Sequence, residues 1–147
     1  MAGPVGSLGP EGRYRLVRPI GGGGMGEVWE ADDTVLGRRV ALKVLVQELA
    51  EDPRATRRFV REARATAKLT HPNVTRVYDF GRDESVPYLV MELLEGDTLA
   101  DRLAGGPLPP GEAASIRAPL GDGHACLSTW PGPITSNAQS RAPSVSA

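Results

Sequence analysis

The stretch from Ile20 to Val46, IGGGGMGEVWEADDTVLGRRVALKVLV, holds the two signals on which the fold turns. Gly21, Gly23 and Gly26, followed by Val28, give the spacing G-x-G-x-x-G-x-V. Glycines are needed wherever backbone N–H groups must come close to phosphate oxygens with no Cβ in the way, and two unrelated folds use this spacing. In a dinucleotide-binding unit the last glycine opens a helix. Here Glu27-Val28-Trp29-Glu30-Ala31 has extended character, which predicts strand, glycine loop, strand. No Gly-Lys-Ser/Thr closes the run, so a Walker-type loop is excluded. A glycine turn without a ligand would look the same, and the second signal separates the two. That signal is Val40-Ala41-Leu42-Lys43, inside an aliphatic run from Arg39 to Val46 that reads as another strand. Side chains alternate along a strand, so Ala41 and Lys43 share a face, a small residue beside an ammonium.

Upstream, Tyr14, Leu16 and Ile20 fall on alternate residues with Arg15 on the other parity, which predicts a half-buried strand. Asp32-Asp33-Thr34 and Gly37 mark a turn, so three consecutive strands with short links imply an antiparallel meander. Downstream, Asp52 is an N-cap candidate before Pro53, and Phe59, Ala63 and Ala67 recur every four residues. A helix over Pro53 to Leu69 with one buried stripe follows. Its other face carries Arg54, Arg57, Arg58, Arg61 and Arg64, read as solvated rather than as a nucleic-acid site. His71-Pro72-Asn73 stops the helix, and strands are expected at Val74 to Phe80 and Tyr88 to Leu93 around a polar turn. The fold class predicted is α+β, an antiparallel sheet of about five strands with one main helix.

Four segments result: a flexible lead over 1–12, the main unit over 13–96, short helices over 97–116 and an irregular tail over 117–147. Within the third, Asp97 to Leu103 reads as a short helix, Gly105 to Pro110 as a loop and Glu112 to Ile116 as a second helix start. Apolar residues are 40% and charged residues 24% of the 147, as in an ordinary soluble domain. A formal net charge of -1 gives no overall pull toward nucleic acid or an anionic membrane. Cys126 is the one cysteine, which predicts a reducing, cytoplasmic setting. No apolar run approaches the roughly 18 residues of a membrane span. His124 and Cys126 supply two metal ligands where a zinc site needs three or four, so no metal site is expected.

Together the glycine run and the Val-Ala-Leu-Lys strand resemble the protein-kinase signature, close to the bacterial serine/threonine kinases. Arg58-Phe59-Val60-Arg61-Glu62-Ala63, His71-Pro72-Asn73-Val74 and Tyr88-Leu89-Val90-Met91-Glu92 extend the resemblance from Tyr14 to Ile116 in the family's order. It implies an amino-terminal kinase lobe with ATP as its ligand. By it, Ile20, Gly21, Gly22, Gly23, Gly24, Met25 and Gly26 lie over the phosphates, and Val28 and Ala41 cover the adenine. Lys43 reaches the phosphates and is held by Glu62, Met91 is the gatekeeper, and Glu92 to Leu94 form the hinge. A protein substrate belongs to the complete family member, and pairing of two lobes through their backs is a further partner the resemblance suggests.

The same resemblance exposes what the sequence lacks. Asp79-Phe80-Gly81 spells the family's magnesium motif, yet it precedes the hinge with no catalytic loop before it, so it is read as a strand end. Nothing after Gly96 matches H-R-D-x-x-x-x-N or a second D-F-G. The expectation is a lobe truncated before the catalytic loop, without its magnesium ligands and without phosphoryl transfer of its own. The alternatives are a non-catalytic module that pairs with an intact kinase and, less well supported for want of a βαβ context, a dinucleotide-dependent oxidoreductase.

Overall fold

The computed structural model describes residues 6–23, 26–96 and 99–114. They form two units, one of Met1–Lys68 with Arg76–Leu93 and one of Leu69–Thr75 with Leu94–Ala147. The first holds strands β1 Ser7–Leu8, β2 Tyr14–Gly23, β3 Gly26–Asp33, β4 Arg38–Leu45, β5 Val77–Asp83 and β6 Val86–Glu92, with helices α1 Gln47–Ala50 and α2 Pro53–Ala67. The strands make one curled sheet in the order β1-β2-β3-β4-β6-β5, every neighbouring pair antiparallel. The second unit holds α3 Leu99–Ala104 and a further helical stretch at 110–114, tied by an Arg102–Glu112 ion pair. In its other segment the Asn73 amide donates to His71 Nδ1 at 3.1 Å, which makes the His71-Pro72-Asn73 turn.

The strand-loop-strand reading, the meander and the main helix are all present. α2 begins where the sequence places it: the Asp52 carboxylate accepts from the Arg54 amide at 2.8 Å, satisfying one of the free N–H groups of the first turn. Phe59, Ala63 and Thr56 are its buried residues, while its arginines face outward.

The sheet buries apolar groups on both faces. Leu8, Tyr14, Ala31, Val40, Leu42, Val44, Tyr88 and Val90 form the core within the curl, and Leu45 and Leu89 meet Phe59 and Ala63 of α2 on the opposite face. Edge-on rings of Tyr14 and Tyr88, 5.8 Å between centroids, fill the curl between distant strands.

Two expectations need correction. Residues 6–12 of the expected flexible lead are structured: β1 pairs with β2, Leu8 is buried, and the Gly9 amide donates to Asp83 Oδ2 at 2.8 Å. Gly9 has φ 84°, and a Cβ there would lie 2.9 Å from the Tyr88 hydroxyl, so long-range packing, which a local pattern does not carry, orders the segment. The fourth strand of the expected sheet, which is β5 here, lies at Val77–Asp83 rather than Val74 to Phe80. Its hairpin closes through two residues, Glu84 at φ 46° and Ser85 at φ 83°, a left-handed pair normally signalled by Asn-Gly. The expected tail over 117–147 lies outside the described residues.

Asp33 organises the β3–β4 turn. Its carboxylate is buried, accepts from Arg13 Nε and Nη2 at 2.9 Å each, and accepts from the amides of Val35 and Leu36 at 3.2 Å. The Arg13 hydrogen bonds hold it below the usual carboxylate range, against a smaller opposing effect of burial. Asp33→Ala is expected to cost about 2 kcal/mol at neutral pH, the value of hydrogen bonds to a charged group. A depressed folded pKa contributes stability that is present above the unfolded value, about 3.9, and lost as pH falls through the folded one. In urea unfolding the gap between wild type and variant should therefore narrow below about pH 4. Ser85→Gly should raise stability by about 1 kcal/mol by removing left-handed strain, read as a higher melting temperature.

Candidate functional site

The glycine run forms the closing end of the β2–β3 hairpin, with Gly21 opposite Val28, Gly22 opposite Glu27 and Gly23 opposite Gly26. Gly24 and Met25 lie outside the described residues. Residues 26–33 continue as strand, so the helix that a dinucleotide-binding unit requires after its last glycine is absent here. The glycines differ in what demands them. A Cβ on Gly26 would lie 2.5 Å from the Val44 carbonyl oxygen, so β3 could not approach β4 with any side chain there. At Gly21 and Gly22 the nearest atoms would be 4.0 and 3.7 Å away, ordinary contact. Packing of the lobe leaves those two free to be other residues, whereas a ligand against the backbone would not.

Ile20 sits at a register shift between Pro19 and Gly21, out of the regular ladder and 38% exposed. Such bulges re-aim side chains beside binding sites.

Registers place the remaining candidates. Val28 lies opposite Lys43, and Lys43 opposite Leu89; Glu30 lies opposite Ala41, and Ala41 opposite Met91. Directly opposed residues share a face and alternate residues along a strand do too, so Val28, Ala41, Lys43 and Met91 line one side. That is the side on which α2 packs, through Phe59 and Ala63 against Leu45 and Leu89, with Val77 and Met91 at the margin. Val28 and Ala41 are buried and Met91 half-buried. Glu92 ends β6, its amide donating to the Arg76 carbonyl at 2.9 Å; Leu94 belongs to the second unit.

Lys43 is half-buried among apolar neighbours. Burial pulls its ammonium below the ordinary lysine range, and the charge of Glu62 acts in the opposite direction. The two are electrostatically coupled but not joined: no carboxylate among the described residues lies within 4.0 Å of Lys43, and Glu62 instead accepts from Arg58 Nε at 3.3 Å.

Asp79-Phe80-Gly81 lies inside β5, not at its end. Asp79 accepts from the Tyr14 hydroxyl at 3.0 Å and from the Phe80 amide at 2.8 Å, and a Cβ on Gly81 would collide with the Tyr88 hydroxyl. Burial and the bond to Asp79 push the Tyr14 phenol up to about 12. The motif thus closes the curl of the sheet. Among the described residues no group of three or more His, Cys, Asp or Glu is placed to hold a metal ion, and His124 and Cys126 lie outside them.

Glu30 escaped the sequence reading. It is buried on the same face as Val28 and Ala41, clamped by Arg18 at 2.7 Å and Arg39 at 2.5 Å. Period-two alternation from Val28 was the signal that could have found it.

A curled antiparallel sheet with a glycine-rich hairpin, and a lysine on the face against which one helix packs, is the architecture of the amino-terminal lobe of protein kinases. Residues 14–126 match the family model described as protein kinase domain, and the chain belongs to that family. It is 45% identical over 121 residues to the serine/threonine-protein kinase pkn2 of Myxococcus xanthus, 82% of this chain and 15% of that protein. With the serine/threonine-protein kinase PrkC of Bacillus subtilis it shares 47% over 106 residues, 71% of this chain and 16% of the other. With PknA of Mycobacterium tuberculosis it shares 53% over 93 residues, 60% and 22%. A crystal structure of a mutant PknI kinase domain of Mycobacterium tuberculosis superposes with TM-score 0.69 at 29% identity, over 88% of this chain and 53% of that one. The chain thus spans less than a quarter of these curated relatives and about half of the solved domain. What it matches is the amino-terminal lobe of a bacterial serine/threonine kinase.

The two kinds of glycine should part company in melting experiments. Gly26→Ala is expected to destabilise the chain by about 1–3 kcal/mol through overpacking. Gly21→Ala and Gly22→Ala should stay within about 0.5 kcal/mol of wild type.

Proposed function

We propose that this chain is the ATP-binding lobe of a serine/threonine protein kinase, and that by itself it binds nucleotide weakly and transfers no phosphate. The observation that carries the reading is the register that sets Val28, Ala41, Lys43 and Met91 on one face of the sheet whose β2–β3 hairpin carries the glycines. In this reading Ile20, Val28 and Ala41 cover the adenine, Met91 bounds the pocket at the back, and the backbone of Glu92 to Leu94 reads the adenine edge. The glycines from Gly21 to Gly26 lie along the phosphates, toward which Lys43 is directed by Glu62. The acceptor in the longer relatives' arrangement is a protein serine or threonine hydroxyl, and the setting is the cytoplasm. No helix among the described residues is long and apolar enough to cross a membrane.

Kinases hold magnesium with a catalytic-loop asparagine and the D-F-G aspartate. The residues present do not fit that ion: Asp79 is engaged with Tyr14 and its own neighbour's amide, and the 147 residues contain no His-Arg-Asp loop. Loss of a general base alone lowers rate by about 10²- to 10⁴-fold.

A ligand at a hundredfold excess over its dissociation constant stabilises by about 2.7 kcal/mol. ATP titration should raise the melting temperature at millimolar nucleotide, and Lys43→Ala and Gly22→Ala should each reduce the rise. A rise identical in Lys43→Ala would remove Lys43 from the site. With labelled ATP and magnesium, transfer to a protein acceptor should equal that of Lys43→Ala, and clear transfer above it would overturn the inactivity.

A further inference from the structure

Glu62 has one salt-bridge partner among the described residues, and it is not the strand lysine. Arg58, one turn earlier on α2, donates Nε to Glu62 Oε1 at 3.3 Å. The Glu62 side chain is 16% exposed and that of Arg58 47%, so the carboxylate sits at the helix margin beneath a solvent-facing guanidinium. Neighbouring Ala63 is buried against the cradle face, where Leu45 and Leu89 flank Lys43 along and across the strands. Val28, also opposite Lys43, is apolar. Glu30 shares that face but is engaged by Arg18 and Arg39, so Glu62 is the carboxylate left to act on Lys43.

We infer that Arg58 is a positioning residue that competes with Lys43 for the Glu62 carboxylate, so that α2 holds Glu62 in reserve until Arg58 lets go. This rests on the reading of Lys43 and Glu62 as the nucleotide-positioning pair and adds the group that opposes it. Each pairing carries its own cost. An i,i+4 pair with the cation on the N-terminal side is the weaker orientation, and a half-exposed guanidinium is readily hydrated. Pairing with Lys43 draws on a stronger Coulomb attraction in a drier site, yet requires Glu62 to give up its access to water.

The chain contains two lysines, Lys43 and Lys68, so the full chain after reductive ¹³C-methylation gives two lysine resonances beside that of the α-amine, and Lys68→Arg assigns them. Titration of the Lys43 signal is the readout. Arg58→Gln should shift its midpoint upward as Glu62 turns to the lysine, and Glu62→Gln should shift it downward. In the Glu62→Gln background Arg58→Gln should have no further effect, whereas a direct repulsion between the two cations would persist there. Arg58→Lys, which keeps an i,i+4 partner, should titrate as wild type, and Arg61→Gln, which removes a cation not bound to Glu62, should do the same. If Glu62→Gln moves Lys43 but Arg58→Gln does not, the competition is wrong and the pair stands. If Glu62→Gln leaves Lys43 unmoved, the pair reading falls and the competition with it.

Discussion

The constraint from which the site follows is the strict alternation of β4 between two buried faces. Val40, Leu42 and Val44 enter the core within the curl, while Ala41, Lys43 and Leu45 lie on the face against which α2 packs. A slip of one residue against β3 or β6 would send Leu42 to the cradle and Lys43 into the apolar core, at the cost of an unpaired buried ammonium. Hydrophobic burial on one face therefore sets the chemistry on the other. Gly26 belongs to the same constraint, because β3 reaches β4 closely only where a side chain is missing.

Charge is distributed unevenly around this frame. Asp33 and Glu30, both buried, are each paired with arginines: Arg13 at 2.9 Å and Arg38 at 3.7 Å around the first, Arg18 and Arg39 around the second. Those pairs lock turn and strands together. Lys43 is different: desolvated, its acid engaged elsewhere, it carries a charge that the lobe itself does not neutralise. A structural pair would have been completed. In the proposed reading the incomplete pair awaits an anion, near Gly21 and Gly22, where nothing in the lobe forbids a side chain.

The Asp79-Phe80-Gly81 tripeptide shows how far a motif can be separated from its chemistry. Its aspartate anchors Tyr14 across the curl, and its glycine makes room for Tyr88. Both roles depend on two strands that meet only because the sheet bends back on itself. A magnesium site needs carboxylates that converge on open space, and here the carboxylate converges on a phenol.

Much of the lobe could be read directly from residue order. The β2–β3–β4 meander, the α2 cap at Asp52 and Pro53, and the shared face of Ala41 and Lys43 are written in local period, turn residues and capping chemistry, which act within a few residues of each other. The family likeness is local in the same way, since its motifs are short. What only the tertiary structure decided lies between residues far apart in the chain: the order of residues 6–12, held by Asp83 and Tyr88; the extension of β5 through a left-handed turn without glycine; the burial of Glu30; and the choice of Glu62 between Arg58 and Lys43. Sequence spacing states which side chains can share a face. Which of two partners a carboxylate takes depends on small differences in distance and hydration, and those exist only once the helix has been laid on the sheet.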